Sequence, residues 1–245
     1  PGAQSLDPKM LRILCFDAND FSEPSKRKTP GMQPLDPAML THRIKSSLRR
    51  SSNFLAEESS SPNLFNAKIL EGLHLAIGVF DAIHLGHQAI LKAAVKTAKT
   101  QNEKSGVLTF YPHPTHVLKP EKPSPLILPL EVRLERLSAF GLDWIFQVPF
   151  TSSFATISAK SFVKLLKKCF PTLKGIYVGE NFRFGHHRRG DVKTLESFCR
   201  PMGITTNILP KREYQNERIS SSRIRCTLEA GDIFETNKML GYNYY

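Results

Sequence analysis

Downstream of residue 72, short apolar runs alternate with longer stretches in which apolar residues recur every three or four positions. The short runs predict buried strands, and the longer stretches predict amphipathic helices. The predicted strands cover residues 73–78, 106–110, 144–148, 175–179 and 204–209. The predicted helices cover residues 85–101, 130–140, 158–168, 192–201, 221–230 and 232–240. Strands joined by helical crossovers predict an α/β fold with a doubly wound, Rossmann-like parallel sheet, whose ligands bind beyond the carboxyl ends of the strands.

The first 65 residues lack this periodicity. Residues 1–11 (PGAQSLDPKML) nearly recur at residues 30–40 (PGMQPLDPAML), with eight of eleven positions identical. Two copies are too few for a repeat architecture, and a polar tract rich in serine follows. The pattern predicts a poorly ordered extension over residues 1–65, with room for a short helix over 37–54, and a folded domain over residues 66–245.

The net charge and the cysteine content limit the kinds of ligand that we expect the protein to bind. The net charge is +12, from 34 basic and 22 acidic residues, and residues 1–66 contribute only +2 of it. No nucleic-acid motif is present, and no apolar run reaches the ~18 residues of a membrane span. The charge therefore favours anionic small molecules over nucleic acid or a membrane. Four scattered cysteines without C-x-x-C spacing indicate reduced thiols in a cytoplasmic protein, and they predict no protein-bound metal site.

The segment at residues 78–87 (GVFDAIHLGH) follows the first predicted strand and opens the first predicted helix. A helix N-terminus carries free N–H groups and the positive end of the helix dipole, so it can bind phosphate. Gly86, between His84 and His87, leaves the backbone open to a ligand. The H-x-x-H spacing alone fits a metal pair or two solvated residues equally well. The strand–loop–helix context favours phosphate.

Two further segments carry polar side chains at predicted element boundaries. Residues 219–225 (ISSSRIR) begin a helix, and a serine there can simply cap the N-terminus. Three hydroxyls followed by Arg225, which can hold two phosphate oxygens at once, favour a second phosphate site. Residues 178–191 (VGENFRFGHHRRGD) run from a strand end into a basic loop between glycines.

Together these segments resemble the FMN adenylyltransferase (FAD synthetase) module of the bacterial bifunctional riboflavin kinase/FMN adenylyltransferase family. They are similar, in order, to that family's G-x-F-D-G-x-H-x-G-H, G-(D/N)-F-R-F-G and I-S-S-T-x-I-R. Residues 109–114 (TFYPHP) resemble its T-F-x-P-H-P, and residues 240–242 (LGY) resemble its closing motif. The resemblance spans residues 73–245. Ala82 replaces a glycine of the pattern and Ser222 a threonine, and neither change removes a group that the chemistry needs.

The resemblance implies transfer of AMP from ATP to FMN, giving FAD and pyrophosphate, with Mg²⁺ bound to ATP. It implies catalytic roles for His84, His87 and Arg225. The residues implied for ATP binding are these three with Gly78, Phe80, Asp81, Gly86, Ser221 and Ser222. Those implied for FMN are Pro112, His113, Asn181, Phe182 and Phe184. Core packing is an equal alternative for the two phenylalanines, and Arg188 and Arg189 fit either a phosphate clamp or an exposed loop.

Two other functions stay open at this point. One is another nucleotidyltransferase with the H-x-G-H motif, acting on pantetheine phosphate or nicotinamide mononucleotide. The other is a non-catalytic basic domain that binds nucleotides or nucleic acid. Because the sequence given reaches Tyr245 without the strands of the family's riboflavin kinase barrel, the expectation is that this activity is absent.

Overall fold

In a computed structural model, the structure describes residues 71–244 and the two strands β1 (Leu11–Cys15) and β2 (Phe54–Glu58). The other strands of the main sheet are β3 (Leu73–Ile77), β4 (Lys104–Tyr111), β5 (Trp144–Pro149), β6 (Leu173–Gly179) and β7 (Thr205–Leu209). All adjacent pairs are parallel, in the order β2-β1-β5-β4-β3-β6-β7. Strands β8 (Glu213–Tyr214) and β9 (Glu217–Arg218) form a small antiparallel hairpin.

The helices follow the strands in alternation, as the sequence predicts. They are α1 (Leu85–Thr100), α2 (Pro114–Leu118), α3 (Leu130–Ser138), α4 (Ser152–Ala155), α5 (Ala159–Cys169), α6 (Val192–Cys199), α7 (Ser221–Glu229) and α8 (Ile233–Leu240). One core cluster joins the sheet to α1, α3, α7 and α8, and a second joins it to α5 and α6. With helices covering both faces, the predicted doubly wound α/β fold is confirmed.

Local sequence explains why the helices and strands near the carboxyl edge of the sheet form. All five residues of β3 are buried, which a central parallel strand requires. Helix α1 buries Ile90, Leu91, Ala94, Val95 and Ala98, a stripe with the spacing of one helix face. Helix α8 ends at Gly241, whose φ of 73° is left-handed, and a Cβ there would lie 2.5 Å from the side chain of Leu85. This close approach ties α8 to the start of α1.

Two strands come from the segment predicted to be poorly ordered. Strand β1 pairs in parallel with both β2 and β5. Five-residue runs are too short to show a clear period, so the pattern of the sequence did not identify them. The predicted helix over residues 37–54 lies outside the described residues apart from Phe54, which begins β2. The division of the chain near residue 65 stays a prediction.

Deleting residues 1–65 tests the pairing of β1 with β5. Without β1, strand β5 becomes an edge strand with unpaired backbone groups, so we expect a lower free energy of unfolding. A loss of ~2 kcal/mol corresponds to a melting temperature lower by about 4–8 °C for a domain of this size. Calorimetry on the truncated and full chains measures the difference. An unchanged melting temperature would show that the strand pair contributes nothing to stability.

Candidate active site

His84 and His87 lie at the N-terminus of α1, directly beyond the carboxyl end of β3. His84 is the N-cap residue, and its Nδ1 accepts a hydrogen bond from the backbone N–H of His87 at 3.2 Å. An accepting Nδ1 carries no proton, so the proton of the neutral ring is on Nε2. The two rings stack with centroids 3.7 Å apart, and Phe80 meets the His87 ring edge-on at 5.2 Å. Both imidazoles are thus held in one orientation.

The environment keeps both imidazoles neutral at pH 7. Burial lowers the pKa of His84 to about 4. Burial also lowers the pKa of His87 well below its usual value, and the neighbouring His84 lowers it further. The Nδ1 atom of His87 is buried without a hydrogen-bond partner among the described residues. Neutral rings can donate a hydrogen bond to a phosphate oxygen without carrying a permanent charge.

The lowered pKa of His84 predicts a loss of stability in acid. The folded pKa is about 4 and the usual value is 6.5, so the unfolded chain binds more protons between these pH values. We therefore expect the free energy of unfolding to fall by about 2 kcal/mol from pH 7 to pH 5 through His84 alone. Urea unfolding of the wild type and of His84→Asn measures this, since asparagine keeps an N-cap but does not titrate. Equal pH dependence in both proteins would contradict the prediction, because burial still lowers the pKa of His87 and of His113 in both, whereas only the wild type has His84.

Asp81, which precedes His84 in the β3–α1 loop, forms an ion pair with Arg225, 144 positions further along the chain. Asp81 is 1% exposed, and its Oδ2 accepts hydrogen bonds from Arg225 Nη2 at 2.5 Å and from the backbone N–H of Ile127 at 3.3 Å. Its Oδ1 is buried without a partner in the described part of the chain. Arg225 Nε also donates to the carbonyl of Pro125 at 2.7 Å. Helix α7 is thereby joined to the β3–α1 loop and to the segment before α3.

The three serines at the start of α7 differ in role and exposure. Ser220 is the N-cap residue, and its side chain accepts from the backbone N–H of Arg223. Ser221 is partly exposed and Ser222 is exposed in the first turn. The phosphate-binding roles of Ser221 and Ser222 stay predictions. Arg223 faces away from Asp81 and instead donates to the carbonyls of Tyr214 and Glu217 in the β8–β9 hairpin.

The loop between β3 and α1 has an unusual backbone that side chains from three elements fix. Phe80 and Ile83 have φ of 53° and 44°, a left-handed conformation that is costly for bulky side chains. Ala82 is not among the residues with positive φ, so its replacement of the family's glycine causes no strain of that kind. Three carbonyls accept side-chain hydrogen bonds: Val79 from Thr109, Ala82 from Tyr242, and Ile83 from Gln88. The C-terminal LGY segment thus supports the histidine loop directly.

The glycines of this loop make room for neighbouring rings. A Cβ on Gly86 would lie 3.1 Å from Cε1 of His84, and a Cβ on Gly78 would lie 3.1 Å from the ring of Phe80. These contacts are tight for carbon atoms, so each glycine allows a ring of the motif to pack against the backbone. The ATP-binding roles predicted for Gly78, Gly86 and Phe80 remain untested by this geometry.

His113 interacts electrostatically with Asp81 and Arg225. It is the N-cap residue of α2, where Nδ1 accepts from the backbone N–H of Thr115 at 3.2 Å. Burial lowers its pKa to about 4; Asp81 opposes this shift, and Arg225, His116 and Arg133 add to it. The charges of Asp81 and Arg225 thus both act on His113, and the partly exposed Pro112 precedes it. The FMN-binding roles predicted for both stay predictions.

The remaining predicted ligand residues belong to the segment that follows β6. Asn181 is exposed in the turn that follows β6. Phe184 is buried in the core cluster under α5 and α6, and Phe182 stacks on it at 5.4 Å. Arg188 and Arg189 are exposed in a loop closed by a bridge between Phe184 and Gly190. The ligand roles of these residues stay predictions.

Arg133 lies outside all the sequence motifs described above. It lies on α3 and is 1% exposed, and its guanidinium donates to the carbonyls of Val79 and Phe110, each at 3.2 Å. The signal was present in the sequence: Leu130, Arg133, Leu134 and Leu137 follow the i, i+3, i+4, i+7 pattern of a buried face, so a cation lies on an apolar stripe.

The chain matches the FAD synthetase family over residues 66–223. The chain belongs to the FAD synthetase family. It is 34% identical over 172 residues to an FAD synthetase of Listeria monocytogenes, covering 70% of this chain and 69% of that protein. It is also 34% identical over 173 residues to a bifunctional riboflavin kinase/FMN adenylyltransferase of Bacillus subtilis, covering 70% of this chain and 54% of that one.

Structural comparison agrees with this family assignment at the level of the fold. The solved structure of a macrolide-efflux protein from Streptococcus pneumoniae superposes with a TM-score of 0.63 at 28% identity, covering 70% of this chain and 55% of that one. The chain spans about half the length of the bifunctional relatives that it matches. Among its described helices, none is both long and apolar enough to cross a membrane.

Proposed function

We propose that this FAD synthetase family member transfers AMP from ATP to FMN, giving FAD and pyrophosphate. The observation that carries the proposal is the segment beyond the carboxyl end of β3, where His84 and His87 stack at the start of α1 and Asp81 pairs with Arg225. These three residues of the segment lie within the part of the chain that matches the family, and Arg225 lies two residues beyond it. This edge of a doubly wound sheet is where such folds bind nucleotides. The positive ends of the α1 and α7 helix dipoles are at the N-termini that carry the two predicted phosphate motifs.

In the proposed reaction, a phosphate oxygen of FMN attacks the α-phosphorus of ATP. A bond forms between them as the bond from the α-phosphorus to the β-phosphate oxygen breaks, and pyrophosphate leaves. The attacking phosphate is already anionic, so positioning and charge stabilisation supply most of the rate and no strong base is needed. His84 and His87 donate hydrogen bonds to the phosphates and to the charge that develops in the transition state. Arg225, with Ser221 and Ser222, holds the β- and γ-phosphates.

Binding of the triphosphate changes the partners of Arg225 in this proposal. In the structure its Nη2 atom is on Asp81 and its Nε atom is on the Pro125 carbonyl. A guanidinium has five N–H donors, so it can keep a bond to Asp81 while other donors meet phosphate oxygens. Asp81 then orients Arg225.

Magnesium enters as part of the substrate, bound to ATP. Within the described residues, no group of three histidine, cysteine, aspartate or glutamate side chains is arranged to hold a metal. Mg²⁺ in nucleotide sites commonly takes most ligands from phosphates and water, with one or two carboxylates. The buried Oδ1 of Asp81 is the one unpartnered carboxylate oxygen of this group that the described residues offer.

FMN binds on the side of the β4–α2 loop in this proposal. His113, on which the charges of Asp81 and Arg225 act, and Pro112 before it are proposed to contact FMN near its phosphate. Asn181, Phe182 and Phe184 are proposed for the isoalloxazine side, where the buried position of Phe184 favours shaping of the pocket over direct contact. The proposed partners are ATP and FMN, with no role for nucleic acid or a membrane, and the proposed location is the cytoplasm.

A substrate panel tests the assignment against other nucleotidyltransferases. The protein is incubated with ATP, Mg²⁺ and one acceptor at a time: FMN, pantetheine phosphate or nicotinamide mononucleotide. Pyrophosphate release is measured, and the products are separated by chromatography. The proposal predicts FAD from FMN and no product from the others. Turnover of another acceptor without FAD formation would assign the site to that acceptor instead.

A further inference from the structure

Arg133 is a buried cation whose charge is not neutralised by direct contact. Its guanidinium donates to two backbone carbonyls, those of Val79 and Phe110, and its Nε atom is buried without a partner among residues 71–244. In the same range, no carboxylate oxygen lies within 4.0 Å of it. Removing a guanidinium from water is costly unless charges or hydrogen bonds compensate. The hydrogen bonds to two carbonyls compensate for only part of this free-energy cost.

Arg133 and Arg225 both interact with a single buried carboxylate, that of Asp81. The carboxylate that acts most strongly on Arg133 is Asp81, which already pairs with Arg225. His84 and His87 are neutral at pH 7, as shown above. Two arginines therefore share one carboxylate, and an anion at this site gains free energy from the remaining charge.

The same guanidinium joins the two loops that form the candidate site. The carbonyl of Val79 belongs to the β3–α1 loop, and that of Phe110 belongs to the next-to-last residue of β4, before the β4–α2 loop. Thr109 also donates to Val79, so this carbonyl accepts two side-chain hydrogen bonds. Arg133 consequently fixes the backbone before both the histidine motif and His113.

We propose that Arg133 is a positioning residue for the triphosphate: it holds these two loops together and supplies the unneutralised positive charge that favours ATP. This inference rests on the proposed function, because it concerns the same nucleotide site. Arg133 acts through the loop backbone and through its charge, without contact to the reacting atoms. It is accordingly distinct from the predicted roles of Arg225 and the two histidines.

Two substitutions separate charge from hydrogen bonding. Arg133→Lys keeps the charge and part of the hydrogen bonding, whereas Arg133→Gln keeps a donor and removes the charge. Calorimetric titration with MgATP in the absence of FMN should show about tenfold weaker binding for Arg133→Gln and about threefold for Arg133→Lys, on the scale of weak ion-pair contributions. FMN binding should change less than twofold in both.

A second measurement reports the effect of the Arg133 charge on a neighbouring residue. NMR titration of His113 should show a higher pKa in Arg133→Gln than in the wild type, because Arg133 is one of the cations that lower it. The other groups facing His113, which are Asp81, Arg225 and His116, are unchanged. Arg133→Lys should keep the wild-type value. A merely structural role would not move this titration in one variant and leave it in the other.

Three results would overturn the inference: MgATP affinity within twofold of wild type in folded Arg133→Gln, equal losses of MgATP affinity in both variants, or failure of both variants to fold. The last result would assign Arg133 to the stability of the fold. Failure of the proposed function is recognised separately. In that case the wild-type protein would make no FAD, while MgATP binding and the His113 titration would still respond to the charge at position 133.

Discussion

Replacing His87 with alanine should lower kcat for FAD formation by ~10²- to 10³-fold, or roughly 3–4 kcal/mol of transition-state stabilisation. In the proposed mechanism the His87 side chain donates a hydrogen bond to the phosphates, and an alanine methyl group cannot do so. The fold should survive, because the side chain of His87 has an unpartnered Nδ1 and its backbone N–H still reaches His84. Steady-state kinetics with saturating FMN, together with the melting temperature, measure both effects.

Lys92→Ala is the matched control for His87→Ala. Lys92 is exposed on α1, five residues further along the same helix, and has no place in the proposed site. Its replacement should leave kcat within twofold of wild type. Near-normal turnover in a folded His87→Ala protein would remove His87 from the mechanism. His84→Ala is a less clean test, because it also removes the N-cap of α1, at a cost of about 1 kcal/mol.

Arg225→Lys should raise KM for ATP and lower kcat by about tenfold each, with FMN saturating. Lysine can keep the ion pair with Asp81, but it cannot also donate to the Pro125 carbonyl and to phosphate oxygens in fixed geometry. A tenfold change corresponds to ~1.4 kcal/mol, which is within the range of a charge-assisted hydrogen bond. Initial-rate kinetics over a range of ATP concentrations measure both parameters.

The chain offers two comparisons for Arg225→Lys. Arg223→Lys changes an arginine on the same helix that contacts the β8–β9 hairpin, so it should lower stability without raising KM for ATP. Ser222→Ala removes one neutral hydroxyl and should cost less than Arg225→Lys, about 0.5–1.5 kcal/mol. If Arg225→Lys keeps the wild-type KM for ATP, the triphosphate is held elsewhere, and Arg188 and Arg189 become the first candidates.

Most of the fold could be predicted because its central elements have strong local patterns. The five predicted strands and six predicted helices all occur, with ends that differ by one or two residues in most cases. The short helices α2 and α4 have five and four residues, less than two turns, so they show no amphipathic period. The strands of the β8–β9 hairpin have two residues each, and strands β1 and β2 have five. Elements of this length depend on tertiary contacts more than on their own sequence.

The residue types of the candidate site could be predicted from the sequence, but the pairing of Asp81 with Arg225 could not. The position of His84 and His87 at a helix N-terminus followed from the strand–helix pattern alone. The ion pair between Asp81 and Arg225 joins positions 144 residues apart, and no periodicity in one sequence specifies such a contact. The serine run likewise did not reveal that Ser220 is the capping residue.

Arg133 shows how a local pattern can be read in two ways. Its spacing on α3 indicates burial, whereas its charge indicates exposure. The carbonyls of Val79 and Phe110 decide between them, and both come from other elements. A charged residue on an apolar helical stripe is therefore a useful sequence signal for a positioning residue near a site.

The most direct test of adenylyl transfer follows both ends of the ATP triphosphate in one reaction. The protein is mixed with FMN, Mg²⁺ and ATP labelled either at the α-phosphate or at the γ-phosphate, and the products are separated by chromatography. The proposed function predicts that the α-label appears in FAD and the γ-label in pyrophosphate, in equal amounts. A γ-label in any flavin product, or an α-label that remains in ATP or ADP while FMN is unchanged, would contradict it.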